Sequence, residues 1–255
     1  MSEDALRIEV EGPIAILTMY RPDKRNAMND SLLAALDGFF SAPPEGVKVV
    51  VLTGTAGHYC SGLDLSEHVA RDAEGTLKHS RGWHAVMEKI QYSGLPVVSA
   101  LFGAVIGGGL ELATSTHVRI AEPSTIFQLP EGRRGIFVGG GATVRVGRIL
   151  GPDRMVEMML TGRKYGSEEG QRLGLCHYAV GEGEALPMAM ELAGKIARNA
   201  SLSNYVMIHA ISRISDMSRG DGLFTESLAA AIAQTSADAE EGLKAFLEKR
   251  APEFR

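Results

Sequence analysis

Only two cysteines, Cys60 and Cys176, occur in 255 residues. They are too few for a disulfide scaffold and lack metal-site spacing, so a reducing compartment is the expectation and no metal is predicted. Positive charge is also in deficit. Against 31 Asp and Glu stand 26 Lys and Arg, a formal net charge of −5, which supplies no general attraction to nucleic acid or anionic lipid. No basic, aromatic-rich segment compensates, so no nucleic-acid partner is expected. Low-complexity tracts are missing, and neither a zinc nor a flavin motif is evident. The opening MSEDALRIEV is acidic without a continuous apolar core, and reads as neither a secretory signal nor a basic transit peptide; a cytoplasmic protein is expected. The uncharged stretch 90–110 is interrupted by Gly94, Pro96, Gly103 and the glycines at 107–109. It reads as buried strand, turn and helix start rather than a membrane span.

What is present is ordinary globular material, 45% hydrophobic and 22% charged, long enough for one large domain or one domain with an appendage. RIEVEGPIAILTMY (7–20) predicts two short strands turned at Gly12-Pro13. SLLAALDGFF (31–40) has helical spacing, with Asp30 or Ser31 as its cap. VKVVVLTG (47–54) is a β-branched run suited to a strand covered on both faces, and a Gly-containing loop follows it. A helical stretch runs through HAVMEKI (84–90). PVVSALFG (96–103) then repeats strand, Gly-rich turn and helix, and HVRIAEPSTIFQLPEG (117–132) predicts two strands around Glu122-Pro123. From about Glu182 the strand signals stop. Helices follow, broken near Asn199, 220–222 and Ser236, as a cap on the core or an oligomerisation arm. The succession favours an α/β or strand-strand-helix architecture.

IGGGLELATSTHV (106–118) sets three glycines before an apolar helix and one carboxylate, Glu111, near its start. A helix start exposes unpaired N–H donors at the positive end of the dipole, where an anion or a developing oxyanion can bind, and glycine lets another molecule approach them. The same glycines also suit tight helix packing or an unusual turn. Glu111 is either a first-turn residue on its own helix dipole or, if buried among its apolar neighbours, an acid whose proton affinity rises. Glu131 in FQLPEG poses the same question against an exposed turn carboxylate. The spacing of 20 is ample for the two segments to share a cleft.

LTGTAGHYCSGLDL, GAVIGGGLELA, FQLPEGRRGI, VGGGAT, MMLTGRKYGSEEGQRLGL and GLKAFLEKR, with RPDKRNAMN before them, occur in the order found in the enoyl-CoA hydratase/isomerase family, the crotonase superfamily, which this chain resembles over nearly its whole length. The resemblance implies an α/β spiral of ββα units over 1–195 holding the acyl-CoA site. It also implies a C-terminal helical region, 196–255, and a homotrimer or dimer of trimers. It assigns the N–H groups of Leu63 and Gly108 to the thioester oxygen, where they favour the enolate-like state. Glu111 and Glu131 match both acidic positions of the hydratases: Glu111 would orient and activate water, and Glu131 would protonate C2.

The same resemblance implies CoA as the substrate's carrier rather than a retained cofactor. Lys24 and Arg25 become phosphate neighbours and the backbone around Ala27 an adenine neighbour, although the charge pair alone reads as a solvated turn. Phe246 and Lys249 match a pair that packs near adenine and reaches phosphate, sometimes from a neighbouring subunit; without the match they read as a helix core contact and a solvent lysine. His58 and Cys60 flank Tyr59 but read as packed or pocket-lining residues, with no third group to orient a Cys–His nucleophile. The chain departs from the family at Phe102-Gly103, where Asn-Gly is frequent, at Thr116-His117, where Cys-Asp is frequent, and at Val138, where a proline often stands. Arg133 and Arg134 lie close enough in sequence to Glu131 to lower its proton affinity, or they face solvent. A double-bond isomerase or another crotonase-type acyl-CoA enzyme, and after them a noncatalytic acyl-CoA binder, are the competing readings.

Overall fold

A computed structural model describes residues 5–67 and 69–254 of the chain. Residues 1–4 of the acidic opening stretch, His68 and Arg255 lie outside the described residues.

The first two strands, β1 (Leu6–Glu11) and β2 (Ile14–Met19), form an antiparallel hairpin with Glu11 opposite Ile14. Gly12 supplies the positive φ, 58°, that a two-residue hairpin turn requires. Helix α1 (Asp30–Ser41) follows, and its cap is one residue earlier than the sequence suggested: the Asn29 side chain accepts from Leu32 N. Any of Asn29, Asp30 and Ser31 has the chemistry of a cap, and the extended backbone of Asn29 decides it.

Three strand-strand-helix units then succeed one another. In the first, β3 (Val49–Thr53) leads into a loop whose Cys60 pairs with Val105, and then into α2 (Ala73–Tyr92). In the second, β4 (Val97–Leu101) is followed by β5 (Ala104–Ile106) and α3 (Gly108–Thr114). In the third, β6 (Val118–Ala121) is followed by β7 (Ile126–Gln128) and, after a turn, by α4 (Ala142–Leu150). The first strand of each unit joins one six-stranded sheet, ordered β1-β2-β3-β4-β6-β8, with β8 (Tyr178–Ala179) at its edge. The second strands β5 and β7 form their own parallel pair, Ile106 opposite Gln128. The Cys60 loop runs beside β5, with Cys60 N donating to Ala104 O and Ile106 N to Cys60 O.

Between the third unit and β8 lie α5 (Pro152–Thr161) and α6 (Ser167–Leu173). Helix α7 (Ala185–Ala197) returns across the large sheet. Strand alternation explains the two cores. Ala15, Leu17, Val50, Leu52, Val97 and Leu101 face α1, α2 and the small sheet, whereas Ile14, Val49, Val51, Val98, Ala100 and Ile120 face α7. Helix α7 meets the sheet with Ala185, Ala189, Ala193 and Ala197, a four-residue period of methyl groups that lets the helix axis come close.

The last helices are α8 (Ser201–Ile214), α9 (Arg219–Gln234) and α10 (Ala237–Glu248). The predicted break at 220–222 is displaced to 215–218, because Ser218 caps α9 by accepting from Asp221 N and leaves Gly220 and Gly222 inside its first turn. Helices α8 to α10 keep large apolar side chains in solvent, among them Ile211, Phe224, Leu243 and Phe246. Among the described residues no helix is long and apolar enough to cross a membrane.

Candidate active site

The parallel register of the three units brings three chain segments to one end of the small sheet. Leu63 follows the Cys60 loop, Gly108 follows β5, and Glu131 follows β7. Gly62 and Gly108 come so close that a Cβ on Gly62 would lie 3.2 Å from Gly108 N. The loop at Leu63 is pinned by Met28, whose N–H donates to Gly62 O at 2.7 Å and whose carbonyl accepts from Asp64 N at 2.8 Å. Both bonds skip Leu63. Among the described residues neither Leu63 N–H nor Gly108 N–H has a protein acceptor, the latter because the first residue of a helix has none within it.

Each of the three glycines before Leu110 has a separate physical reason. Gly107 adopts φ 55°, and a Cβ there would sit 2.8 Å from Glu131 Oε1. A Cβ on Gly108 would meet a Trp83 ring carbon at 2.8 Å, and one on Gly109 would collide with the Cys60 carbonyl. Tight packing and bare donors are therefore the same feature here, not alternatives.

Glu111 is 3% exposed. Its Oε1 accepts from Gly140 N at 2.8 Å and Ala142 N at 3.0 Å, so the carboxylate sits on the N-terminal end of α4 like a cap brought from another segment. Burial raises its proton affinity, and the backbone donors of 140–142 and the Arg145 guanidinium act against that rise. Glu131 is 7% exposed and is treated differently. Its Oε2 is buried without a hydrogen-bond partner among the described residues. Burial first, joined by the nearby Glu111 charge, pushes this carboxyl up to about 7, against a hydrogen bond from its own backbone N–H and the weaker pull of Arg134. Of the two arginines beside it, Arg133 instead donates to Thr161 O at 3.0 Å.

The structure adds residues that the sequence did not single out. The indole of Trp83, on α2, packs between Gly108 and Gly140, with ring carbons 2.8 Å and 3.1 Å from where their Cβ atoms would be. It thus walls the space between the free donor and the Glu111 clamp. Asn26 is fully buried at φ 55°; its Nδ2 donates to Thr55 O at 3.0 Å and His58 O at 2.7 Å, and its Oδ1 accepts from Arg21 N. Arg21 in turn reaches Ala27 O at 2.6 Å and Asp64 at 2.8 Å. Together they stitch RPDKRNAMN to the loop that carries Leu63. The signal for Asn26 was its residue type, since asparagine is among the few side chains that enter the left-handed region.

Lys24 and Arg25 stand exposed on that stitched loop, with Lys24 Nζ donating to Ser66 Oγ at 2.9 Å. Ala27 is buried, its N–H donating to Lys24 O. Phe246 and Lys249 are not brought to this loop within the chain. They lie at the far end of α10, which packs on α9, and Phe246 is 77% exposed. Cys60 is a neutral buried thiol, pushed up to about 12 by burial, and His58 Nδ1 accepts from Ala104 N. At the sites of departure, His117 Nδ1 accepts from Val97 N and its Nε2 pairs with Gln91 O, tying β4 to the end of α2, while Val138 packs on the main core.

Comparison with known proteins agrees with this architecture. The family model for enoyl-CoA hydratase/isomerase matches residues 9–255. A 2,3-dehydroadipyl-CoA hydratase of Escherichia coli K12 is 31% identical over 95% of both chains, and the enoyl-CoA hydratase EchA19 of Mycobacterium tuberculosis is 30% identical over 99% of this chain and 96% of its own. Among solved structures, a Rhodopseudomonas palustris protein provisionally named an enoyl-CoA hydratase superposes with a TM-score of 0.94 at 46% identity, covering 96% of this chain and 95% of that one. An enoyl-CoA hydratase from Bacillus anthracis gives 0.92 at 29% identity over 98% of both. Three ββα units, a helical C-terminal region and an end-to-end match make this chain a member of the enoyl-CoA hydratase/isomerase family, with the crotonase fold.

Proposed function

We propose that the protein adds water across the double bond of a 2-enoyl-CoA to give a 3-hydroxyacyl-CoA, with Glu111 and Glu131 as its acid–base pair and the N–H groups of Leu63 and Gly108 as its oxyanion hole. The observation that carries this reading is the unequal treatment of two buried carboxyls at one glycine-rich helix start. Burial raises the proton affinity of both, but Glu111 accepts hydrogen bonds from the N-terminus of α4 that oppose the rise, whereas Glu131 has an orphan oxygen and is pushed up to about 7. Hydration needs both states at once, a base for water and an acid for carbon.

In the forward direction the thioester oxygen accepts the Leu63 and Gly108 N–H groups. Water attacks C3 as Glu111 takes its proton, and the C2=C3 π pair moves toward C1, leaving negative charge on the oxygen. Collapse of this enolate takes the Glu131 proton at C2, and proton exchange with solvent resets both carboxyls. The two donors are fixed before the charge appears, and each contributes about 2.7–4 kcal/mol to lowering the barrier.

CoA belongs to the substrate in this reading and is not a retained cofactor. Lys24 and Arg25 meet its phosphates and the backbone of Ala27 its adenine. Phe246 and Lys249 complete the site from an adjacent subunit of a homotrimer or dimer of trimers, in which the exposed apolar faces of residues 196–255 are covered. The two unpaired buried cysteines suit a cytoplasmic enzyme.

The test is turnover of short, long and aromatic 2-enoyl-CoAs, with products identified by mass and Glu111→Gln and Glu131→Gln run alongside. Water addition that each folded variant loses by about 100-fold or more supports the assignment. A shifted double bond without a gain of water would replace it with isomerisation, and tight binding without turnover would replace it with an acyl-CoA carrier.

A further inference from the structure

Glu111 finds its donors because residues 140–142 aim them in one direction, and a guanidinium stands behind that turn. Arg145, on the first turns of α4, donates from Nε to Gln91 Oε1 at 2.7 Å on α2 and from Nη1 to the Gly140 carbonyl at 3.3 Å. Its own N–H donates to Gly141 O at 3.0 Å. The guanidinium fills the place of a Gly141 side chain: that residue has φ 108°, and a Cβ there would collide with Nη1. Ser80 Oγ holds the neighbouring Gly139 carbonyl at 2.7 Å, so α2 grips the turn at two points.

Arg145 is half-buried and makes no ion pair among the described residues. The charged and titratable groups around it and Glu111 are His84, Glu88 and Tyr92 from α2, Arg148 from α4, and Glu131 from the turn after β7. Arg145 is the cation that acts on Glu111, whereas Arg134 acts on Glu131.

We propose that Arg145 is a positioning residue for the reaction: it holds the 140–142 turn so that its N–H groups meet Glu111, and it places a positive charge beside that carboxyl. The inference rests on the two-carboxylate reading for its kinetic consequence, but not for its effect on Glu111. A cation removed from beside a carboxylate lets the proton bind more tightly. Because the base must be ionised, the acidic limb of the kcat–pH profile then moves to higher pH.

The experiment is a titration of the full-length chain labelled with ¹³C at the glutamate carboxyls, the Glu111 signal assigned by its loss in Glu111→Gln. Wild type is compared with Arg145→Met, Arg145→Gln, Arg145→Lys and Gln91→Glu. The Glu111 midpoint rises by about one pH unit or more in Arg145→Met and by less in Arg145→Lys. It also rises in Gln91→Glu, which pairs the guanidinium with a new carboxylate at unchanged size, and in Arg145→Gln, which removes the charge while keeping a polar side chain and carries the test if Arg145→Met fails to fold. With crotonyl-CoA, kcat falls about tenfold, its acidic limb moves with the midpoint, and KM stays within about twofold. A wild-type Glu111 midpoint in the folded variants overturns the proposal, as does a moved midpoint with an unmoved kcat limb. If wild type adds no water but the midpoint moves, the hydratase reading fails and the hold of Arg145 on Glu111 stands.

Discussion

Replacing Glu131 with glutamine should make the protein more stable in base while destroying its activity. In the folded chain the Glu131 carboxyl has one oxygen without a partner and its proton affinity is raised from 4.5 to about 7. In the unfolded chain the group returns to the ordinary value. Between about pH 4.5 and 7 the folded state therefore holds more protons than the unfolded state, and stability falls as pH rises through that window. Below it both states are protonated and this carboxyl costs nothing. Above it the folded state carries a buried charge at a constant penalty. A displacement of that size corresponds to about 3 kcal/mol in full, and between about 1 and 3 kcal/mol once relaxation and entering water are allowed for.

Glutamine keeps the shape and cannot ionise. The difference in unfolding free energy between Glu131→Gln and wild type should thus be near zero at pH 4 and grow to about 1–3 kcal/mol in favour of the variant at pH 8. Urea denaturation at matched protein concentration, at four or five pH values, measures it, and taking the difference removes the titrating groups that do not couple to Glu131. Parallel hydration assays should show loss of about 100-fold or more. A difference that is flat with pH, or a variant less stable than wild type at pH 8, would refute the claim that Glu131 sits protonated in an unfavourable place.

Other perturbations read different parts of the structure. Asn26→Ala strips the Thr55 and His58 carbonyls of their donor and should cost about 2 kcal/mol in denaturant unfolding, with a drop in kcat/KM as the Leu63 loop loosens. Gly109→Ala drives a methyl into the Cys60 carbonyl and should lose about 1–3 kcal/mol together with most of the turnover. Gly38→Ala, exposed in α1 with nothing within 4 Å of the added Cβ, should instead gain about 0.5–1 kcal/mol and leave kinetics unchanged. Light scattering should give a trimer or its double; a monomer at assay concentration would remove Phe246 and Lys249 from the CoA site.

Local signals carried the strands well because their physics is local. The β-branched run around β3 could only be a strand buried on both faces, and Gly12-Pro13 could only turn a hairpin. The misread features were settled by contacts that span the chain. Strand β5 is three residues beside a glycine cluster, too short for periodicity, and exists because β7 and the Cys60 loop pair with it. Gly220 and Gly222 looked like a break, yet Ser218 starts α9 just before them, its hydroxyl accepting from Asp221 N and its carbonyl from Gly222 N, so both glycines fall within the first turn.

The site divides in the same way. Glu111 was conspicuous as a lone acid among apolar neighbours, which is a statement about sequence alone. What sets it apart from Glu131 is the N-terminus of α4, some thirty residues away in the chain, whose N–H groups its carboxylate accepts, and no spacing rule links the two. The three units supply that link: the Cys60 loop, β5 and β7 run side by side and end together, so the donor after the Cys60 loop, the donor at α3 and the acid after β7 converge without any of them adjoining another in sequence. Repetition of the backbone, not of the residues, builds the site, and so each unit is free to contribute a different chemical group to it.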